Sequence, residues 1–176
     1  VAFALSIVID KEMVDADHTY YEITGNDTFE TPNPAGDILY GIEVAIKPTH
    51  QGMRLGRRLY DARKELCEDM NLRSIVAGGR MPGYRQYREE LSARQYIDKV
   101  KKQEIFDPVL SFQLNNDFHV KKILPDYLPE DEDSRAYATL IEWNNIYYKR
   151  KSKKIGRTRN TVRIGLVQWQ MRRVNS

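Results

Sequence analysis

The stretch ILYGIEVAIKPTHQGMRLGRRLYDARKELCEDM, residues 38–70, holds a strand, a tight turn and a helix in that order. Residues 37–46 alternate, with Ile38, Tyr40, Ile42, Val44 and Ile46 on one face and Leu39, Gly41, Glu43 and Ala45 on the other. Pro48 stops the ladder. From Leu55 the apolar residues Leu59, Ala62, Leu66, Cys67 and Met70 recur at helical spacing, while Arg57, Arg58, Asp61, Arg63, Lys64, Glu65 and Glu68 fill the polar side. The first amides of a helix lack intrahelical partners, and the helix dipole places partial positive charge there. A strand feeding such a turn is therefore a general anion site. Gly52 and Gly56 let a ligand approach the backbone, and Arg54, Arg57 and Arg58 add cations beside it. A pyrophosphate would fit. An ordinary strand-to-helix turn with solvated arginines accounts for the same residues.

Working outward, Val1 to Ile9 (VAFALSIVI) is apolar and β-branched, the pattern of a central strand. Residues 10–36 are polar and rich in Asp, Thr, Asn and Pro, which predicts a long loop. Ser74 to Ala77 is a short buried strand closed by Gly78 and Gly79. Residues 84–104 read as polar and largely helical. Residues 107–116 predict a short helix with Asp107 as N-cap and Pro108 in the first turn. Residues 118–128 and 135–143 form two strands joined by an acidic turn. The order β, β, α, β, α, β, β predicts an α/β sheet with an antiparallel end.

A chain of 176 residues, 41% hydrophobic and 30% charged, fits one globular domain with or without a tail. Its longest apolar stretch, residues 1–9, is too short to span a bilayer, and no signal-peptide pattern surrounds it. The single cysteine, Cys67, excludes an intrachain disulfide framework and fits a reducing, cytoplasmic compartment. Residues 149–159 (KRKSKKIGRTR) carry seven of the 28 basic residues and no acid, leaving 21 basic against 25 acidic residues elsewhere. So local a charge run reads as a solvated connector rather than a nucleic-acid face. The chain opens on Val1 within a strand-like run, as a piece of a longer polypeptide would.

The segment VAIKPTHQGMRLGRRLYDAR (residues 44–63) resembles the acetyl-coenzyme A signature of the GNAT superfamily of N-acetyltransferases. Gln51 and Gly56 match the ends of that signature, and Arg54 stands where its central Gly is expected. A side chain there disfavours φ > 0 and narrows the backbone approach. The resemblance implies a GNAT-like α/β fold, its mixed central sheet splayed at the coenzyme A site, flanked by helices and ending in a β-hairpin. It also implies that the backbone of Val44 and Ile46 pairs with the pantetheine arm and that Gly52, Met53, Arg54, Leu55, Gly56 and Arg57, together with Gln51, hold the pyrophosphate. Acetyl-coenzyme A would be the co-substrate, without a metal, and a small-molecule or peptide amine the acceptor. Such a domain carries a further strand-helix-helix-strand segment ahead of the position of Val1.

A second resemblance lies at the other end, where Thr161 to Val174 (TVRIGLVQWQMRRV) is similar to the opening strand of nitrilase-type carbon–nitrogen hydrolases. The segments LYGIEV, LGRRLYDARKELC, GGRMPGY, DPVLSFQLNNDF and TLIEWNN resemble a family in which a GNAT domain precedes such a hydrolase. The implied division is an acyltransferase domain over 1–148, a basic linker over 149–160 and the first nitrilase-like strand over 161–176. The catalytic Glu, Lys and Cys of such a hydrolase would lie beyond residue 176, so hydrolysis is not expected of this segment. A homo-oligomer is compatible with the sequence.

Acetyl transfer needs a base for the amine, and the departing thiolate benefits from a proton donor. Glu43 is the candidate base, with Gly41 and Ala45 leaving space beside it. In many GNAT enzymes the donor is a Tyr four residues before a Gly-Phe pair; here Asp117-Phe118 takes the pair's place and Gln113 the Tyr's. Tyr84 and Tyr87 are the candidate donors, with ordinary helix packing as their alternative role. His18, His50 and His119 show no metal-ligand spacing; His18 falls in an acidic, solvated loop. Cys67 belongs to the core face of its helix.

Overall fold

The computed structural model describes residues 1–150. The linker beyond residue 150 and the nitrilase-like strand lie outside them. In chain order the elements are β1 (Ala2–Ile9), α1 (Lys11–Asp15), α2 (Tyr20–Thr24), β2 (Ile38–Ile46), α3 (Leu55–Asp69), β3 (Ser74–Gly79), α4 (Ala93–Lys101), α5 (Leu110–Leu114), β4 (His119–Leu124) and β5 (Ala138–Asn144). The five strands form one sheet in the order β1-β2-β3-β5-β4. Only β2 and β3 run parallel; the other neighbours are antiparallel.

Each sheet face carries its own core. One core joins Leu39, Ile75, Ala77 and Ile141 of the sheet to Tyr60 and Cys67 of α3, Tyr96 and Val100 of α4, and Leu110 of α5. The other joins Ile7, Ile38, Tyr40, Val76 and Leu140 to Val14, Ile23 and Tyr127. The polar stretch 10–36 is thus more than a loop: it folds into α1 and α2 and seats Val14 and Ile23 against the sheet. A Thr19–Glu22 capping box starts α2, and Gly25 ends it in the left-handed conformation.

The region 84–104 is less helical than its composition suggests. A 3₁₀ turn spans Pro82–Gln86, and regular helix is confined to Ala93–Lys101. Ser92 and Gln95 form its capping box, so the helix begins where that box permits. Its buried residues Ala93, Tyr96, Ile97 and Val100 recur at helical spacing. The helix expected to begin at Asp107 starts only at Leu110, with Val109 in place of Asp107 as its N-cap; Asp107 Oδ1 still accepts the N–H groups of Val109 and Leu110 at 2.9 and 2.8 Å. The hairpin strands are shorter than the sequence suggests. Asp126, Arg135 and Ala136 have φ of +50°, +49° and +61°, which ends the extended runs early.

Two side-chain placements depart from the sequence reading. In β2 the pairing with β1 passes from Leu5↔Glu43 to Ser6↔Gly41, so Ile42 is an extra, unpaired residue. Such a β-bulge resets the alternation. Ile42 packs with Ile38 and Tyr40 on one face, while Val44 packs on the α3 face. Ile46 joins Val44 there, its Cδ1 lying 3.5 Å from where a Cβ on Gly56 would stand. On α3, Arg63 is buried rather than solvated, and Ala62 and Met70 are exposed. The buried stripe of α3 is Leu55, Tyr60, Arg63 and Cys67.

Candidate functional site

The site is built where β2 and β3 part. Their parallel pairing runs from Ile38↔Ser74 to Gly41↔Ala77 and then stops, although β2 continues to Ile46 and β3 to Gly79. Beyond Gly41, β2 is bonded on its β1 side alone. Lys47 N–H donates to Val1 O at 2.9 Å, so residues 43, 45 and 47 face β1. The backbone of Val44 and Ile46 therefore faces the opening, and among the described residues no group pairs with it. Gly41, Ala77 and Gly79 keep this wedge free of bulky side chains.

The open strand edge leads to the start of α3. Gln51 to Arg54 are exposed, and Leu55 turns inward to anchor the helix. Gly52 has φ +81° and open space around the position of a Cβ. Arg54, the N-cap, also lies in the left-handed region at φ +57°, so the turn keeps a glycine-like backbone despite carrying a side chain. Its side chain makes no capping bond. Among the described residues, the amides of Gly52 to Arg57 donate to no carbonyl, and Arg54, Arg57 and Arg58 enter no ion pair. The result is a run of free N–H donors at a dipole's positive end, ringed by unengaged cations. A Cβ on Gly56 would stand 3.2 Å from Phe112 Cζ, so α3 packs closely on α5 at this end.

The floor of the wedge is polar and buried. Arg63 fills the space beneath the β2 bulge, donating from Nη2 to Leu5 O and Glu43 O, each at 3.1 Å. Its guanidinium carbon lies 5.6 Å from the centre of the Tyr60 ring. Burial pushes the arginine's pKa down and the Tyr60 hydroxyl's up. Tyr60 also packs edge-on to Phe112 and Phe118, with ring centres 5.0 and 5.3 Å away. Gln113 lies against Gly79, its buried Oε1 without a hydrogen-bond partner among the described residues. None of the three was read as a site residue beyond Gln113's place in a motif. A stripe at 56, 60, 63 and 67 would have revealed Tyr60 and Arg63, but it required taking an arginine as buried.

No family model matches the chain. A probable hydrolase of Bacillus subtilis (strain 168), YhcX, is 44% identical over 172 residues, covering 97% of this chain and 34% of that protein. An uncharacterized N-acetyltransferase of the same strain, YkwB, is 33% identical over 147 residues, covering 84% of this chain and 65% of that protein. The chain thus spans about a third of the first relative and 65% of the second. Among solved structures, the loading GNATL domain of CurA from Lyngbya majuscula superposes with a TM-score of 0.72 at 22% identity, over 82% of this chain and 70% of that one. The GphF GNAT-like decarboxylase in complex with isobutyryl-CoA gives 0.65 at 20% identity, over 82% and 72%. The chain has a GNAT-like fold.

Within this GNAT-like sheet the remaining candidates are dispersed. Glu43 is exposed at the bulge, and the bulge moves it off the face of Gly41, which looks onto Arg63. Tyr20, on the opposite sheet face, feels the Glu43 charge. Tyr84 is buried and its hydroxyl donates to Leu91 O at 2.9 Å. Tyr84 and Tyr87 both pack on Tyr96, at ring distances of 5.2 and 5.6 Å. His18 is buried, contrary to its reading as a solvated loop residue: Nε2 lies 3.0 Å from the Tyr40 hydroxyl and Nδ1 3.0 Å from Ala16 O. The Tyr40 and Tyr127 hydroxyls are 3.0 Å apart, so a buried chain of polar groups ties the 10–36 segment to the sheet. Cys67 is a core residue, its thiol pushed up to about 12 by burial.

Proposed function

We propose that this GNAT-like chain binds acetyl-coenzyme A and transfers its acetyl group directly to an amine. The observation that carries the reading is the open β2 edge at Val44 and Ile46, continuous with the free amides of Gly52 to Arg57. A pantetheine arm offers amide groups suited to that edge, and a pyrophosphate suits the helix start. Arg54, Arg57 and Arg58 would meet the phosphates as exposed cations. The printed description of GphF, a complex with isobutyryl-CoA, supports an acyl-coenzyme A ligand for this fold.

In this reading the amine attacks the thioester carbonyl while Glu43, at the bulge, receives its proton directly or through water. Tyr84 and Tyr87 remain proposed donors that would have to leave their packed positions. In the whole polypeptide the domain would precede a nitrilase-like hydrolase in a cytoplasmic protein; that YhcX is described as a probable hydrolase and is matched over only 34% of its length supports the attached hydrolase.

A second reading is favoured by two observations: Gln113 cannot act as an acid, and Glu43 is exposed, its carboxylate without a hydrogen-bond or ion-pair partner among the described residues. It is a non-catalytic coenzyme A-binding module that regulates the attached hydrolase. A thiol-release assay with acetyl-coenzyme A and a panel of primary amines separates the two. Transfer predicts amine-dependent thiol release that Glu43→Gln lowers by about 100-fold or more. Binding without release by any amine supports the regulatory module.

A further inference from the structure

The chain leaves β5 through a short segment pinned to the end of α3. Asn145 is buried; its backbone N–H donates to Arg73 O at 3.0 Å and its Nδ2 to Leu72 O at 2.8 Å. Asn71 grips the Lys149 backbone twice: Nδ2 donates to Lys149 O at 2.8 Å, and Oδ1 accepts the Lys149 N–H at 2.9 Å. The Arg73 guanidinium lies 5.1 Å from the centre of the Tyr148 ring. Between these anchors the chain turns, leaving Ile146 82% and Tyr147 66% exposed. With Glu68, Asn71, Tyr148 and Lys149 they line a concavity of about 640 Å³. Large apolar side chains gathered at a concavity on a fixed backbone mark a contact surface.

The charges around this surface are one-sided. Glu65, Glu68 and Asp69 sit on the last turns of α3, which has no basic residue in its final turn. Carboxylates there oppose the negative end of the helix dipole. Among the described residues none of the three enters an ion pair. The basic run 149–159, seven cations and no acid, starts at this rim with Lys149.

We propose that this concavity is the docking surface for residues 161–171 of the same chain, TVRIGLVQWQM, drawn there by the basic run along the acidic end of α3. The inference goes beyond the coenzyme A reading and does not rest on it. The eleven residues 150–160 extend at most about 38 Å, ample for a return to the rim. Tethering so close makes the local concentration of the segment on the order of millimolar. Val162, Ile164, Leu166, Val167, Trp169 and Met171 supply the apolar groups that Ile146 and Tyr147 need. The surface lies at the far end of α3 from the Gln51–Gly56 turn, about 22 Å along a 15-residue helix, so its occupant leaves that turn open.

The chain has two tryptophans, Trp143 and Trp169. The emission of the 176-residue chain minus that of Trp169→Phe therefore reports Trp169 alone. Docking predicts a blue-shifted Trp169 that acrylamide quenches several-fold less than an exposed indole, independent of protein concentration. Ile146→Asp, at an exposed position and checked for folding by circular dichroism, should restore full quenching. Glu68→Lys or added salt should restore part of it. Trp169 as accessible in the wild-type chain as in free tryptophan overturns the inference, as does protection that survives Ile146→Asp. Protection that appears only on concentration, together with a dimer in sedimentation, assigns the surface to a second copy and also overturns it.

Discussion

The turn from Gln51 to Gly56 and the floor formed by Tyr60, Arg63 and Gln113 belong to the same wedge, yet they are made by opposite means. The turn is exposed and works through its backbone, with free amides and loose arginines. The floor is buried and works through side chains wedged against glycine backbone. The difference teaches where substitutions should be felt. Changes at the turn should act on the ligand with little effect on folding. Changes at the floor should act on both.

Arg63→Ala should have the largest effect on stability. It leaves the Leu5 and Glu43 carbonyls without their donor and opens a cavity under the bulge, partly offset by releasing a desolvated cation. A loss of about 2–3 kcal/mol is expected in urea unfolding. A loss below about 0.5 kcal/mol would mean that the floor is no more structural than the turn.

The buried polar chain on the other sheet face extends the contrast to pH. Burial is the main cause that lowers the pKa of His18, with Lys122 adding to it and the Ala16 carbonyl, Glu22 and Asp17 opposing it. The unfolded chain then binds the proton more readily than the native one. Stability is therefore fully present above the unfolded value of about 6.5 and falls as pH drops through it. Denaturant midpoints from pH 7 to 5 should fall more steeply for the wild type than for His18→Gln. Parallel slopes would show that His18 is not buried as neutral imidazole.

Gly52→Ala should cost about 1 kcal/mol, because φ +81° strains any residue with a Cβ although the space around it is open. A thermal melt reads this. Smallest in stability is Arg57→Ala, expected within about 0.5 kcal/mol of wild type. Its effect should surface instead as a several-fold weaker, less salt-sensitive affinity for acetyl-coenzyme A. Should Arg57→Ala destabilise the chain as much as Arg63→Ala, the distinction between turn and floor fails.

The turn was legible because its signals are local: Pro48, Gly52, Gly56 and an abrupt change from strand to helix period. The strands and the hairpin followed from short, well-separated apolar runs, but their order in the sheet did not: β1, which reads as a central strand, stands at the sheet edge. The floor was not legible, for two physical reasons. The bulge at Ile42 shifts the facing of Val44, Ile46 and Glu43, and nothing in an unbroken alternating pattern announces an extra residue. Arg63 then reads as solvated because arginines on helices usually are, whereas here the bulge supplies two carbonyls for it. His18 escaped for a related reason. Its neighbours Asp15 and Asp17 are exposed, and only the Tyr40 hydroxyl, 22 positions away, reveals that the ring turns inward.

Under the proposed function the open β2 edge and the α3 turn form one acyl-coenzyme A site. Isothermal titration of the 176-residue chain with acetyl-coenzyme A tests it most directly. Binding at one ligand per chain, with a dissociation constant of about 1 μM to 1 mM that weakens with added salt, is the predicted result. No heat of binding at millimolar acetyl-coenzyme A, from a chain shown to be folded, would contradict it.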